Sequence, residues 1–143
     1  MLRSVLAVLV GLVATFVVIG LLEMLGMLIY PPPAGLDFSK PEAVRAAMAT
    51  IPTGALVCVL VAQAVGTFSG AWLAAFIARR SPITHALVVG GLALLAGIFN
   101  LLSIPHPIWF SVMSILTSLP VAFAAGRVLR SRNPEVAQVG SSV

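Results

Sequence analysis

At 143 residues the chain is long enough for one compact domain, and 60% of it is hydrophobic while only 8% is charged. A soluble domain carries roughly 25% charged residues, so this composition cannot cover a water-facing surface and places the chain in a bilayer. The formal charge of +4 does not point to nucleic acid, because the basic residues punctuate apolar runs instead of forming a patch, as topology determinants do.

The chain opens Met1-Leu2-Arg3 and then runs apolar to about Tyr30. A secretory signal has an apolar region of about 7–15 residues and a small-x-small cleavage site. Neither limit is met, so this run is expected to be a retained transmembrane helix, spanning about residues 4–30. Three further runs, about 53–78, 83–104 and 107–129, are also long enough to cross a hydrocarbon core that needs about 20 helical residues. Prolines mark the breaks: Pro31-Pro32-Pro33, Pro52, Pro82, and Pro105 with Pro107. Proline lacks the amide donor that a helix interior needs and collects at helix boundaries. The expected fold is an all-α membrane protein with four transmembrane helices in a compact bundle, residues 1–130, followed by a flexible tail, 131–143.

Residues 31–52 form the one long connection. Ser39 followed three positions later by Glu42 has the form of a capping box, so a short amphipathic helix is expected from about Lys40 to Thr50. Val44, Ala47, Met48 and Ile51 make its apolar side, which lies on the bundle or at the headgroup boundary. Arg3, Arg79, Arg80, Arg127, Arg130 and Arg132 fall on one side of the spans and only Lys40 and Arg45 on the other. The excess of arginine puts both termini in the cytoplasm, as expected for a multi-pass protein of a bacterial inner membrane.

The second span carries Ala62, Gly66, Gly70, Ala74 and Ala78 at four-residue spacing. Close backbone approach over small residues drives helices together where hydrophobicity cannot. This ridge packs within the bundle, or against a second copy or another membrane protein. The expected partners are the lipid bilayer and such a protein, not nucleic acid. Cys58, the sole cysteine, reads as a small buried hydrophobe.

Glu23 lies about seven residues inside its span, roughly 10 Å deep. A carboxylate at that depth costs several kcal/mol unless paired, protonated or wet, and so points to function. Gly20 and Gly26 suggest that it faces protein; the plainer reading is an acid reaching the headgroups. Asn100, Gln63, His106, Ser111 and Ser114 complete a candidate proton or ligand site. Interhelical hydrogen bonding accounts as readily for Asn100 and Gln63, and back-bonding to the own helix for the serines. Pro120 should kink the fourth span and free the carbonyl of Leu116, which Ser118 could satisfy. One glutamate and one histidine supply too few ligands for a metal. With no nucleophile beside a base and no paired acids, neither an enzyme nor a cofactor is expected.

Gly20-Leu21-Leu22-Glu23 echoes Gly97-Ile98-Phe99-Asn100, and Arg80-Ser81-Pro82 echoes Arg132-Asn133-Pro134. Either two hairpins of the same orientation are repeated about an axis along the membrane normal, or a biased composition recurs by chance. At Tyr30-Pro31-Pro32-Pro33, Gly35-Leu36-Asp37 and Ile104-Pro105-His106-Pro107 the chain resembles a group of small, uncharacterised four-helix membrane proteins of bacteria. That resemblance implies fold and location but no activity. The four-span layout with an acid in the first helix is also similar to the small multidrug resistance transporters. The long outer loop and one-sided arginines depart from them and speak against dual topology. The expected function is that of a helix-packing oligomer or accessory subunit of a membrane complex, with a small proton-coupled transporter or channel using Glu23 as the alternative.

Overall fold

The computed structural model describes residues 2–37, 39–48 and 50–132. Five helices appear in it: α1 (Leu2–Ile29), α2 (Pro41–Met48), α3 (Thr53–Ala78), α4 (Pro82–Ser103) and α5 (Ile108–Arg132). All but α2 are long and apolar enough to cross a membrane. Even α4, with 22 residues, extends roughly 33 Å at 1.5 Å per residue. The boundaries lie within a few residues of those expected. At the far end α5 carries Ser131 and Arg132, so the tail begins later than its composition suggested, and 133–143 lie outside the described residues.

Local chemistry explains the ends. Ile104 precedes Pro105 and is extended, φ −127° and ψ 127°, because the proline ring disfavours helical geometry in the residue before it. The α3–α4 turn is so short that Arg79 and Ser81 take left-handed conformations, φ 56° and 45°. The expected capping box at α2 does not form. The Ser39 amide and hydroxyl instead donate to Asp37 Oδ1 at 3.0 and 2.6 Å, and Lys40 Nζ lies 3.4 Å from Asp37 Oδ2. An aspartate two residues upstream offers the serine a nearer acceptor than the helix offers a donor.

Within the bundle α1 pairs with α3 and α4 with α5. α3 and α4 also touch, as do α3 with α5 and α1 with α4, while α1 and α5 stand at opposite corners without meeting. A rotation exchanging the two hairpins would carry the α3–α4 contact onto α5 and α1, where none exists. The packing therefore departs from two-fold symmetry.

The small-residue ridge is spent inside the chain. Ala62, Gly66, Gly70 and Ala74 are buried. A Cβ on Gly70 would overlap Thr15 Oγ1 and the Gly11 carbonyl, and one on Gly66 would strike Ile19. Of the alternatives the sequence left open, packing within the bundle is the one seen: α1 lies across Gly66 and Gly70. On the other side of the bundle Gly90 admits Ala122, and Gly126 lies against Ile83. Between them sits an alanine core: Ala71, Ala74 and Ala75 meet Ala86, Val89, Ala122 and Ala125.

Packing is uneven along the bundle. The buried residues of α1 are Ala7, Gly11 and Thr15, and those of α4 are Pro82, Ala86, Val89 and Gly90. All lie toward the arginine end, where Arg3 Nε also donates to the Ile77 carbonyl at 2.8 Å. No residue of 16–29 or 91–103 is buried. α1 and α4 therefore pack closely at the arginine end and loosen toward the proline end, where α3 and α5 still bury Leu56 and Phe110.

Candidate functional site

Two cavities lie among the described residues of the looser half. The larger, about 470 Å³, lies at the proline end under the 31–52 connection. Tyr30, Leu56 and Phe110 form its walls, and Val44, Ala47 and Met48 of α2 cover it, so the apolar side of α2 faces the bundle. Tyr30 can press against α3 because Gly54 has no side chain there. The smaller cavity, about 230 Å³, lies deeper between all four long helices, with Phe16, Thr67, Gly97 and Ser114 among its walls.

Glu23, Gln63 and Asn100 line both cavities and so make a shared polar wall. His106 joins them on the larger side and Ser114 on the smaller. The structure thus brings together five of the six residues singled out in the sequence. Ser111 is the exception: it lines neither cavity, and its hydroxyl turns back toward the Pro107 carbonyl at 3.5 Å. The flanks of Glu23 also differ from expectation. A Cβ on Gly26 would lie 3.6 Å from Cys58, but one on Gly20 meets nothing within 4 Å. Cys58 itself is only partly buried and lines the larger cavity.

The serines divide by bonding. Ser118 donates to the Ser114 carbonyl at 2.7 Å, and so does not serve the Leu116 carbonyl that Pro120 leaves free. Ser114 Oγ is buried with no hydrogen-bond partner. Among the described residues no hydrogen bond or ion pair engages the side chains of Glu23, Gln63 or Asn100 either. The Gln63 and Asn100 amides therefore do not act as interhelical bridges. His106 is held differently: its Nδ1 donates to the Ile104 carbonyl at 2.7 Å and its ring stacks on Phe110, centroids 4.9 Å apart. With Nδ1 so used, Nε2 is the ring nitrogen left for a ligand or water.

Among the described residues no arginine or lysine lines either cavity; Glu23 is their one carboxylate and His106 their one imidazole. Among the described residues no three of His, Cys, Asp and Glu come together as a metal site. Sequence reasoning missed Thr67, Phe16 and Phe110 as wall residues. Thr67 stands one helical turn from Gln63, a spacing that could have found it; the aromatics gave no signal among so many apolar residues. Fold and site together define a four-span helical bundle with an acid-bearing internal cavity. Comparison with family models, with curated proteins and with solved structures finds no match to the chain.

Proposed function

We propose that this chain is a small membrane transporter or channel whose ligand binds at the Glu23–Gln63–Asn100 wall, with proton exchange at Glu23. One observation carries the reading: each long helix contributes to the same cavity at least one polar side chain with no hydrogen-bond partner among the described residues, Glu23 from α1, Gln63 from α3, Asn100 from α4 and Ser114 from α5. A buried polar group left unsatisfied costs roughly 1–3 kcal/mol, and an ionised one more. Ser114 Oγ is such a group, and in a bilayer the half-buried Glu23 and Gln63 side chains would add to it, against a typical stability of about 5–15 kcal/mol. Water or a polar ligand in the cavities removes that cost.

The competing reading, a helix-packing oligomer or accessory subunit, drew its support from the small-residue ridge, and α1 occupies that ridge. We further propose that the arginine end, with both termini, faces the cytoplasm of a bacterial cell, which would open the larger cavity to the outside.

Glu23→Gln tests the function. The substitution keeps shape and hydrogen-bonding reach and removes the titration. In proteoliposomes with an imposed pH gradient and a trapped pH dye, wild type should move protons and the variant should not, with thermal stability preserved from pH 5 to 8. Equal proton movement by both forms would eliminate Glu23 and this reading.

A further inference from the structure

We propose that the arginine end seats one anionic glycerophospholipid, its phosphodiester held between Arg3 of α1 and the Arg79-Arg80 turn that joins α3 to α4. The site lies apart from both cavities and does not depend on what they bind.

The charge at this end has no counterpart within the fold. Arg3, Arg79, Arg80, Arg127 and Arg130 are all exposed. The carboxylates among the described residues are Glu23, Asp37 and Glu42, and Asp37 and Glu42 lie in the connection at the opposite end. Glu23 stands about 30 Å of helix away from Arg3. Among the described residues no ion pair engages any of these arginines. They sit where spans of this length meet the headgroups, and basic clusters at that level attract acidic lipid.

Topology needs only charge at this end, whereas Arg3 is also held in place. Its Nε donates to the Ile77 carbonyl at 2.8 Å, one of the last carbonyls of α3, which have no partner within the helix. That bond orients the guanidinium and commits one of its five N–H donors. The Nη groups are left to fork onto two oxygens of a phosphate. Arg79 follows Ile77 by two residues, so its Cα lies within about 8 Å of that of Ile77, and Arg80 comes next. Both side chains can therefore close on a phosphate at Arg3. Beyond them Ser81 gives α4 no side-chain cap, which leaves amides of the first turn as further donors. On α5, Arg127 is drawn over the Phe123 ring, 5.6 Å from its centroid. α5 also stands at the corner opposite α1, so its arginines lie outside the seat.

A zwitterionic headgroup carries its own cation and gains little from three arginines. A diester with net negative charge gains the whole attraction. Leu6, one helical turn from Arg3, is 48% exposed and offers an acyl chain an apolar wall directly below the headgroup.

The test uses the full chain in phosphatidylcholine nanodiscs that contain a phosphatidylglycerol with a photoreactive diazirine on its headgroup. After photolysis, adducts should concentrate in residues 2–6 and 77–84. Plain phosphatidylglycerol in the disc should compete with them, and inorganic phosphate in the buffer should not. Arg80→Gln should lower the adducts several-fold while melting with wild type in pure phosphatidylcholine. Added phosphatidylglycerol should raise the melting temperature of wild type and not of that variant. Arg3→Lys keeps the charge and loses the fork, and should also label several-fold less; labelling equal to wild type would mean that charge alone suffices and would overturn the seat. Arg130→Gln removes the same charge from α5 and should change nothing. A fall equal to that of Arg80→Gln would mean attraction to the basic surface at large and overturn the proposal. Equal competition by inorganic phosphate would overturn the lipid as the occupant.

Discussion

Ser114 reports on whether the interior of the bundle is wet. Its hydroxyl is buried without a partner, so in a dry cavity Ser114→Ala would raise stability by about 1–2 kcal/mol by removing an unsatisfied group. With water or ligand on the hydroxyl the substitution is neutral or destabilising, and this is the expected result in thermal melts of the purified protein. Asp37 offers a second residue-level test. The Ser39 hydroxyl, then the Ser39 amide, hold its carboxyl below the usual aspartate range. Because the folded value is the lower one, the order that Asp37 gives to the start of α2 is complete above about pH 4. It is lost as the pH falls further and the carboxyl protonates. Protease cleavage within 34–40 should therefore increase below pH 4 in wild type, while Asp37→Asn should lose most of that pH dependence. Glu23, Gln63, Asn100 and Ser114 were legible in the sequence because a polar residue in an apolar run is conspicuous. Their convergence on one site was expected but not fixed by the sequence, since helical spacing gives the face a residue occupies but not which neighbour stands opposite. The apparent capping box at Ser39 failed for a related reason: a three-residue pattern does not register a stronger acceptor two positions upstream.

Glycines divide the helices into packed and open stretches, and that division is testable. Gly70→Ala must displace Thr15 or the Gly11 backbone, and overpacking of this kind costs typically about 1–3 kcal/mol. Gly91→Ala meets nothing within 4 Å and should leave the melting temperature unchanged or slightly raised, as alanine is the better helix former. Equal effects at the two positions would mean that the α1–α3 contact is not what Gly70 serves. The turn joining α3 to α4 makes a prediction of the opposite sign. Arg79 holds φ at 56°, a region that costs a residue with a Cβ roughly 1–2 kcal/mol and glycine nothing comparable. Arg79→Gly should therefore be neutral or stabilise by up to about 1 kcal/mol. The four-residue spacing of the α3 ridge was readable in advance, and so were the spans, because length and proline punctuation fix them. Left-handed backbone at an arginine was not, since its cause is the shortness of the turn rather than the identity of the residue.

At the scale of the molecule, a Cys introduced at Ser39 should react with an impermeant thiol reagent added outside intact cells, while one at Ser131 should react only after permeabilisation; the opposite pattern would invert the proposed orientation. The four-helix arrangement follows from the sequence, but its uneven closure does not. Small residues occur along the whole of α4, and only their neighbours decide that Gly90 is filled while Gly97 is open. The uneven closure has a mechanical consequence. If the loosening of α1 and α4 toward the proline end enlarges the bundle there, it occupies different areas in the two leaflets and should behave as a wedge. Lateral stretch in the leaflet around the proline end favours the parted arrangement, and compression there opposes it. Lysophosphatidylcholine added to vesicles on that side should therefore alter Glu23-dependent proton movement, and the same addition to the other leaflet should have the opposite effect or none. In that case the leaflet itself would act as an effector, working through area rather than through any contact.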